Sequence, residues 1–253
     1  MASTADGVRG AAEEVGVTSG DATRGTGAAT YRYPMLATIA SVNVGRPRPG
    51  FTKGELSGIA KEPAAQIEVR DPGPKLDGLG SGVVGDAVVD RRHHGGRIQA
   101  VYAVAREELD WWGEHLGRDL ADGMFGENLT TRGFDVDAAL LGERWAIGED
   151  VILEVCGPRV PCATFAARMG EPKWVKRFTE RGRTGAYLAV IQGGAIRAGD
   201  GLAVVSRPEH GFTVPNAFAA WCGDHEMSRA ILDAAAGSPE FREQLAGRLP
   251  GRR

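Results

Sequence analysis

The sequence predicts a mainly β fold with added helices, arranged as a barrel or a curled mixed sheet. The first reason is turn content: 37 glycines and 13 prolines among 253 residues form about a fifth of the chain, against a usual share of about an eighth. The second is a series of short apolar segments separated by these turn residues. The third is that the sequence has no P-loop and no strand–helix alternation typical of nucleotide-binding folds; its GxGxxG match at 80–85 leads into a predicted strand, not into a helix.

Hydrophobic periodicity defines the individual elements. Segment 66–70 alternates apolar and polar residues, as a half-buried strand does, and segment 150–156 does the same. Segment 106–116 instead places its apolar residues at helical spacing. The predicted strands are 35–44, 66–70, 85–92, 98–105, 126–131, 150–156, 187–192 and 202–206, and the predicted helices between them are 106–116, 164–169 and 174–181.

The two ends of the chain differ in composition from its middle. Residues 1–33 are rich in small residues without periodicity, so we expect a disordered tail there. The last part of the chain contains three short helical segments, at 214–220, 226–235 and 239–249. They are too short to fold alone and are expected to pack on the barrel or on a partner. The predicted domains are thus a tail at 1–33, a barrel at 34–207 and a three-helix domain at 208–253.

Composition and charge exclude several functional classes. The 30 basic and 33 acidic residues leave a net charge of −3, which provides no field for general nucleic-acid or membrane binding. No apolar run approaches the length of about 18 residues that a membrane span needs. Three cysteines, an odd number, argue against a disulfide scaffold. We therefore expect a cytoplasmic protein without a nucleic-acid or membrane partner.

The loop 157–162 contains the most reactive candidate residue, Cys162. Two prolines stiffen this loop, which joins a predicted strand to a predicted helix and also contains Arg159. A helix N-terminus and a nearby guanidinium both favour the thiolate, which is the form that attacks or binds a soft metal. The alternative is that Cys162 is a small buried apolar residue. For Cys156 and Cys222 the structural interpretation is favoured.

Two further motifs are polar and rich in glycine. His93 and His94 are adjacent and would point in opposite directions on an extended chain, so they would rarely bind one ion together. The glycines that follow, at 95 and 96, allow backbone amides to approach an anion, although a polar hairpin connection explains them equally well. Segment 126–129 contains Glu127 and Asn128, which suit either a polar lining or a tight turn.

Four basic residues lie near loops and offer sites for a phosphate group: Lys53, Lys61, Arg97 and Arg159. For any single one of them, a solvated surface position is the favoured interpretation. The sequence has no GxSxG nucleophile motif and no CxxC or HExxH zinc spacing. Residue spacing therefore indicates a β domain with a candidate thiolate and anion-binding loops, but no particular reaction.

Four motifs in order resemble those of MOSC-domain proteins, the relatives of the C-terminal domain of molybdenum-cofactor sulfurase. They are SVNVG at 41–45, HGG at 94–96, GENL at 126–129 and PRVPC at 158–162. The resemblance covers about residues 35 to 250 and is closest to the YiiM-like branch, which has a C-terminal three-helix appendage. It implies a MOSC-type β-barrel and a pterin-based molybdenum cofactor.

The resemblance also implies roles for individual residues. Cys162 occupies the position of the family's motif cysteine, which ligates molybdenum or carries sulfur to it. The other matched positions, expected to bind the cofactor, are His94, Gly95, Gly96, Glu127, Asn128 and Arg159; weaker local similarity adds Lys61 and Arg97 as phosphate contacts. His94 is a catalytic candidate beside Cys162, either as a proton donor to a leaving oxygen or as a residue that orients the cofactor.

The activity implied by the resemblance is reduction of N-hydroxylated compounds, such as N-hydroxylated bases, to amines. Electrons would come from a separate donor protein, because the sequence has no flavin or nicotinamide fingerprint and no iron–sulfur cysteine set. One alternative is a sulfur carrier with a persulfide on Cys162. Another is a thiol-dependent transferase or a small-molecule binding module without a metal.

Overall fold

The computed structural model describes residues 37–50 and 56–251. The predicted tail and Lys53 lie outside the described residues. The strands are β1 (Ala37–Gly45), β2 (Arg48–Pro49), β3 (Leu56–Ser57), β4 (Lys61–Ala64), β5 (Gln66–Val69), β6 (Val101–Ala105), β7 (Leu129–Arg132), β8 (Arg144–Ile147), β9 (Val151–Pro158), β10 (Ala186–Gln192), β11 (Gly194–Arg197) and β12 (Gly201–Ser206). The α-helices are α1 (Arg106–Leu116), α2 (Ala163–Met169), α3 (Trp174–Arg181), α4 (Val214–Trp221), α5 (His225–Asp233) and α6 (Pro239–Ala246).

Seven strands close into a barrel, which confirms the predicted fold class. The order is β12-β8-β9-β10-β6-β7-β1, and β1 pairs with β12 to complete the ring. Among the described strands the neighbours are antiparallel except β6 and β7, which run parallel. Strand β4 adds to the outer side of β1, while β5 pairs with β11 and β2 with β3 in two small ribbons. Closure leaves few free strand edges on which another chain could pair.

Strand β6 is buried on both of its faces, and this explains why helices cover the barrel there. Val101, Ala103 and Ala105 belong to the barrel interior. Tyr102 and Val104 point the other way into an aromatic cluster formed with α1, α2 and α3. The alternation of side chains along a strand therefore joins the barrel core to a second, aromatic core outside it.

The three C-terminal helices pack against the barrel through a third apolar cluster, which includes Phe241 and Leu141. Phe241 lies directly on strand β9, because a Cβ atom added to Gly157 would be 3.2 Å from its ring. The division of the chain at residue 208 stays a prediction. Within residues 37–50 and 56–251, every helix is too short or too polar to pass through a bilayer.

The predicted strand at 85–92 is wrong, because these residues form turns and loop. Gly85 has a φ of +82°, which ends extended structure. The next residue, Asp86, directs its carboxylate towards Lys61, Gly45 and Ser81 instead of into a ladder. The predicted strand at 98–105 is shorter than expected, since residues 97–99 form a 3₁₀ turn. Strands β4, β8 and β11, of four residues each, were not predicted.

Candidate functional site

Two clefts in the barrel wall meet at Cys162. The first extends along the loops around β4 and α2, with about 900 Å³ of space including open solvent. The second lies between β9 and the C-terminal helices, with about 1140 Å³ counted in the same way. Six residues line both clefts: Asp90, His94, Gln99, Cys162, Thr164 and Tyr187. A group held in one cleft therefore reaches the same thiol as a group held in the other.

Cys162 precedes the first turn of helix α2, after the strand β9 and a rigid Val160–Pro161 segment. It is a free, partly buried cysteine. Burial alone would raise the pKa of this thiol, but its hydrogen bond to His94 and the charge of Arg159 outweigh burial and lower the pKa to about 6. Cys162 is consequently a thiolate at neutral pH, whereas burial strongly raises the pKa of Cys156.

Arg159 places a buried positive charge in the first cleft. Its side chain is only 5% exposed, and its Nη1 donates to the carbonyl oxygen of Phe125. The guanidinium lies over the ring of Phe165, 3.8 Å from the centroid. Its Nε is buried without a hydrogen-bond partner among the described residues. This N–H is therefore a donor for which an acidic ligand oxygen in the cleft is the matching acceptor.

Lys61 and Asp86 form a buried ion pair on the same cleft. Desolvation lowers the pKa of Lys61, although Asp86 opposes that shift. Asp86 also accepts hydrogen bonds from the backbone N–H of Gly45 (2.7 Å), from Ser81 Oγ (2.8 Å) and from Asn128 Nδ2 (3.2 Å). Its carboxylate thus fixes the positions of the Lys61 ammonium and the Asn128 amide together.

The two glycines after His94 adopt backbone conformations that other residues rarely adopt. Gly95 has a φ of +83° and Gly96 a φ of +79°. A Cβ atom on Gly95 would lie 2.7 Å from the carbonyl oxygen of Gly80, and one on Gly96 would lie 2.8 Å from the Cα of Lys75. The turn therefore has no room for side chains at these two positions, and it brings His94 to the rim of both clefts.

The structure brings six of the nine predicted site residues together on the first cleft: Lys61, His94, Gly95, Asn128, Arg159 and Cys162. Gly96, Arg97 and Glu127 line neither cleft. Arg97 is exposed and pairs with Asp71 at 3.0 Å. Glu127 is fully buried, where its carboxylate accepts from the backbone of Gly123 and Phe125 and from Thr130 Oγ1. Desolvation raises its pKa to about 7.

Several residues that line the clefts were not predicted from the sequence. Asp86 and Gln99 line the first cleft, as do Tyr102 and Tyr187 from strands β6 and β10. Nothing in the local sequence marks Asp86, because its partners come from distant segments. The tyrosines had a weak signal, namely polar-tipped aromatic residues within apolar strands. Tyr102 donates its hydroxyl to the carbonyl oxygen of Thr184 at 2.7 Å, and Arg159 lies 5.3 Å from its ring centroid.

The donor chemistry of the clefts fits a metal that arrives with its own ligands. Among the described residues, no three His, Cys, Asp or Glu side chains are grouped so as to hold a metal ion. Cys162 offers a single thiolate, a soft donor. Arg159, with its unpaired Nε, offers a partner for an acidic group on the same ligand. A metal-bearing cofactor with an acidic group, such as a phosphorylated pterin complex, matches both donors.

The closed barrel, the thiolate and the buried cations define a barrel protein with a thiol-centred cleft. Residues 90–203 match the MOSC domain, and the chain belongs to the MOSC-domain family. YflK of Bacillus subtilis is 31% identical over 218 residues, which are 83% of this chain and 92% of YflK.

Two other relatives extend the comparison. A Gibberella moniliformis protein named reductase is 31% identical over 190 residues, which are 74% of this chain and 32% of that longer protein. The crystal structure of YiiM from Geobacillus stearothermophilus has a TM-score of 0.66 at 28% identity, with 84% of this chain and 99% of that one covered. The barrel with its C-terminal helices is thus a YiiM-like MOSC structure.

Proposed function

We propose that this chain binds a pterin-type molybdenum cofactor in the first cleft, with Cys162 as the protein ligand of the metal, and reduces N-hydroxylated compounds to amines. The observation that carries the proposal is the placement of an acidic thiol, with a pKa of about 6, beside a buried arginine at the junction of two clefts. MOSC-domain membership and the similarity to a protein named reductase support it.

In this proposal, different residues of the cleft have different roles in binding the cofactor. Arg159 donates from its free Nε to an acidic group of the cofactor, and Lys61 adds a second positive charge that Asp86 holds in place. Gly95 leaves the cleft wall open beside them. When bound, the cofactor supplies a metal centre that accepts and passes on two electrons. Roles for Gly96, Arg97 and Glu127 are structural in this proposal, because none of them lines the cleft.

The overall reaction is R–NHOH plus two electrons and two protons to R–NH₂ and water. The N–O bond breaks, the oxygen leaves as water, and the electrons come from a separate electron-donor protein of the flavin or iron–sulfur class, which is oxidised. His94 contacts Cys162 on the shared rim, and histidine is the side chain best suited to deliver a proton near neutral pH. We assign the protonation of the leaving oxygen to His94.

The expected cellular setting is the reducing cytoplasm, and the proposal includes no nucleic-acid or membrane partner. A reducing compartment keeps cysteines as thiols. Cys156, Cys162 and Cys222 are all free in the structure. An oxidising compartment would compete for the Cys162 thiolate by forming mixed disulfides, because low-pKa thiols react fastest.

The decisive experiment is metal and pterin analysis of the chain purified from a host that makes the cofactor. One molybdenum and one pterin per chain, lost in Cys162→Ser and kept in Cys222→Ser, support the proposal. Cys222 is an exposed cysteine that lines neither cleft, so it is a matched control. A labile persulfide on Cys162 without molybdenum would establish the sulfur carrier instead. Absence of both would leave a thiol-dependent transferase or a metal-free binding module, and would overturn the proposal.

A further inference from the structure

A groove between helices α1 and α3 lies apart from both clefts. Its lining residues are Trp111, Trp112, His115, Arg177, Glu180 and Arg181. We propose that this α1–α3 groove is the docking surface of an acidic one-electron carrier protein of the ferredoxin type, and that the aromatic cluster beneath it is the path by which electrons reach Cys162. This inference rests on the function proposed above, and it gives the electron donor of that reaction a place on the molecule.

The donor of the proposed reaction has to act from outside the clefts. Even with open solvent counted, the clefts offer only about 900 and 1140 Å³, and a folded domain is far larger. Cofactor and substrate also occupy the space around Cys162 in that proposal. The donor is therefore expected to dock on a surface that packed side chains connect to this cysteine.

One aromatic cluster connects the α1–α3 groove to Cys162. Trp111 and Cys162 both pack against this cluster. The ring centroids of Trp111 and Trp112 are 5.0 Å apart. Trp174 continues the line, with its centroid 4.5 Å from that of Trp112 and 5.4 Å from that of Phe165. Phe165 lies in the first turn of α2, three residues after Cys162, so packed rings lead from the groove to the reactive loop without a gap for solvent.

The indole groups of this line are not explained by packing alone. Trp112 and Trp174 are buried, and the Nε1 of each has no hydrogen-bond partner among the described residues. A buried N–H without an acceptor is unfavourable, and a phenylalanine or leucine would fill an apolar core without that cost. Their large π systems, placed in sequence between the surface and the cysteine, account for the choice of tryptophan.

Charge and composition indicate the kind of partner that the groove accepts. Segment 173–183 forms one side of it and contains five basic residues and one acidic residue, whereas the whole chain has a net charge of −3. Arg181 lies over Trp111, with its Cζ 3.8 Å from the ring centroid. Lys176 is 70% exposed beside Glu180 at the rim. Tryptophan and arginine provide much of the binding energy at interfaces, and a positive patch attracts an acidic protein.

Electrons and protons follow separate routes in this arrangement. Each reduced carrier that docks gives up one electron and is oxidised, so two carriers supply the two electrons that R–NHOH needs. Aromatic rings pass electrons but not hydride, which fits a one-electron carrier. The two protons come from solvent, one of them by way of His94, and the N–O bond breaks to release R–NH₂ and water.

Binding is the first test. A plant-type ferredoxin, a small acidic iron–sulfur protein, is titrated calorimetrically at low ionic strength into the chain purified from the cofactor-producing host. We expect Trp111→Ala and Lys176→Glu each to weaken ferredoxin binding about tenfold. The matched control is Arg229→Glu, which makes the same change of charge at an exposed position on α5. This control should bind ferredoxin as the unaltered chain does, and added salt should weaken binding to both.

Turnover of an N-hydroxylated adenine base gives the second readout. With reduced ferredoxin as the donor, kcat/KM for ferredoxin should fall about tenfold in Trp111→Ala and Lys176→Glu, mainly through KM. With reduced methyl viologen, a small reductant that does not need to dock, turnover should be unchanged. Trp174→Leu interrupts the line of rings without altering the groove lining, so it should keep ferredoxin binding and lose kcat with ferredoxin alone.

The outcomes separate this inference from the proposed function. Lys176→Glu tests the groove even if Trp111→Ala does not fold, because the Lys176 side chain is exposed. The inference is overturned if ferredoxin does not bind, if Arg229→Glu weakens binding as much as Lys176→Glu, or if both reductants lose turnover equally. Unchanged kcat in Trp174→Leu would refute the electron path. Absence of molybdenum would instead refute the proposed function, and the titration would still report on the groove.

Discussion

The thiol of Cys162 and the ring of His94 lie on the rim that the two clefts share, and His94 lowers the pKa of that thiol. The two residues come from different loops, one after strand β9 and the other before strand β6. The HGG turn positions the histidine, and the prolines of the PRVPC loop position the cysteine. The reactive pair therefore depends on two rigid loops, and its properties report on both.

The first prediction concerns the ionisation of Cys162. The rate of alkylation by iodoacetamide should follow the thiolate and show a midpoint near pH 6, because the pKa of Cys162 is lowered to about 6. His94→Leu removes the hydrogen bond and should move the midpoint towards the ordinary thiol value of about 8.5. Cys222→Ser should leave it unchanged. A midpoint near the ordinary value in the unaltered chain would contradict the described geometry.

The same pKa shift predicts how stability depends on pH. The pKa of Cys162 is lower in the folded chain than in the unfolded one, so its thiolate stabilises the fold fully above about pH 8.5. That contribution is lost progressively as the pH falls from about 8.5 to about 6. Because Cys162 is partly exposed, we expect about 1–2 kcal/mol after allowance for solvent screening. This contribution is measured by denaturant unfolding of the unaltered chain and of Cys162→Ser across this pH range. If the free energy of unfolding depended on pH in the same way in both, the prediction would be wrong.

Much of the fold could be predicted because its signals are local. Helices α1 and α3 have the bounds that their periodicity indicates, and β5 was visible from a four-residue alternation. The strand predicted at 85–92 is wrong because Asp86, within this segment, contacts a residue that is distant in the sequence. The carboxylate of Asp86 pairs with Lys61, which lies 25 residues earlier in the chain, and no local pattern records such a pairing.

The residues of the candidate site also differ in whether the local sequence could identify them. Cys162 and Arg159 could be proposed from one loop, because a cysteine after prolines and near an arginine is a local chemical signal. Arg97 looked equally suitable, yet its guanidinium pairs with Asp71 on the surface. Gln99 and Trp221 had no signal at all, because a cleft residue of ordinary type acquires its role only when distant segments meet.

The buried pair of Lys61 and Asp86 should be important for folding. Lys61→Met leaves the Asp86 carboxylate buried without its cation and should lower the free energy of unfolding by about 3–5 kcal/mol. The matched control is Arg48→Met in the neighbouring pair of Arg48 and Glu62, where both side chains are about half exposed. That change should have little measurable effect. Urea unfolding compares the two variants, and similar losses would show that Asp86 does not need its partner.

A comparison of alanine variants at Gly95 and Gly85 separates the effect of backbone strain from the effect of steric crowding. Their φ values are nearly equal, +83° and +82°, so replacement by alanine should strain either position by about 1–3 kcal/mol. A new Cβ meets the Gly80 carbonyl at residue 95 but open space at residue 85. Gly95→Ala should therefore lose more stability and also raise the alkylation midpoint of Cys162, as His94 is displaced. Equal effects of the two variants on stability and alkylation would argue against a tight HGG turn.

Lysine substitutions at Arg159 and Arg97 test which of the two residues contacts the anion. Arg159→Lys keeps the charge but loses the planar group that lies over Phe165 and the free Nε donor. We expect inorganic pyrophosphate, measured by calorimetry, to bind about tenfold more weakly in this variant. Arg97→Lys should bind as the unaltered chain does, because Arg97 is exposed and pairs with Asp71.

Stability must be checked together with pyrophosphate binding, since Arg159 also donates to the Phe125 carbonyl oxygen. A lower melting temperature alone would reflect that lost bond. A smaller rise in melting temperature on adding pyrophosphate reflects lost binding, because a ligand stabilises only the state that it binds. If Arg97→Lys lost the pyrophosphate response and Arg159→Lys kept it, the anion would bind on the outer surface beside Asp71, and the first cleft would no longer explain cofactor binding.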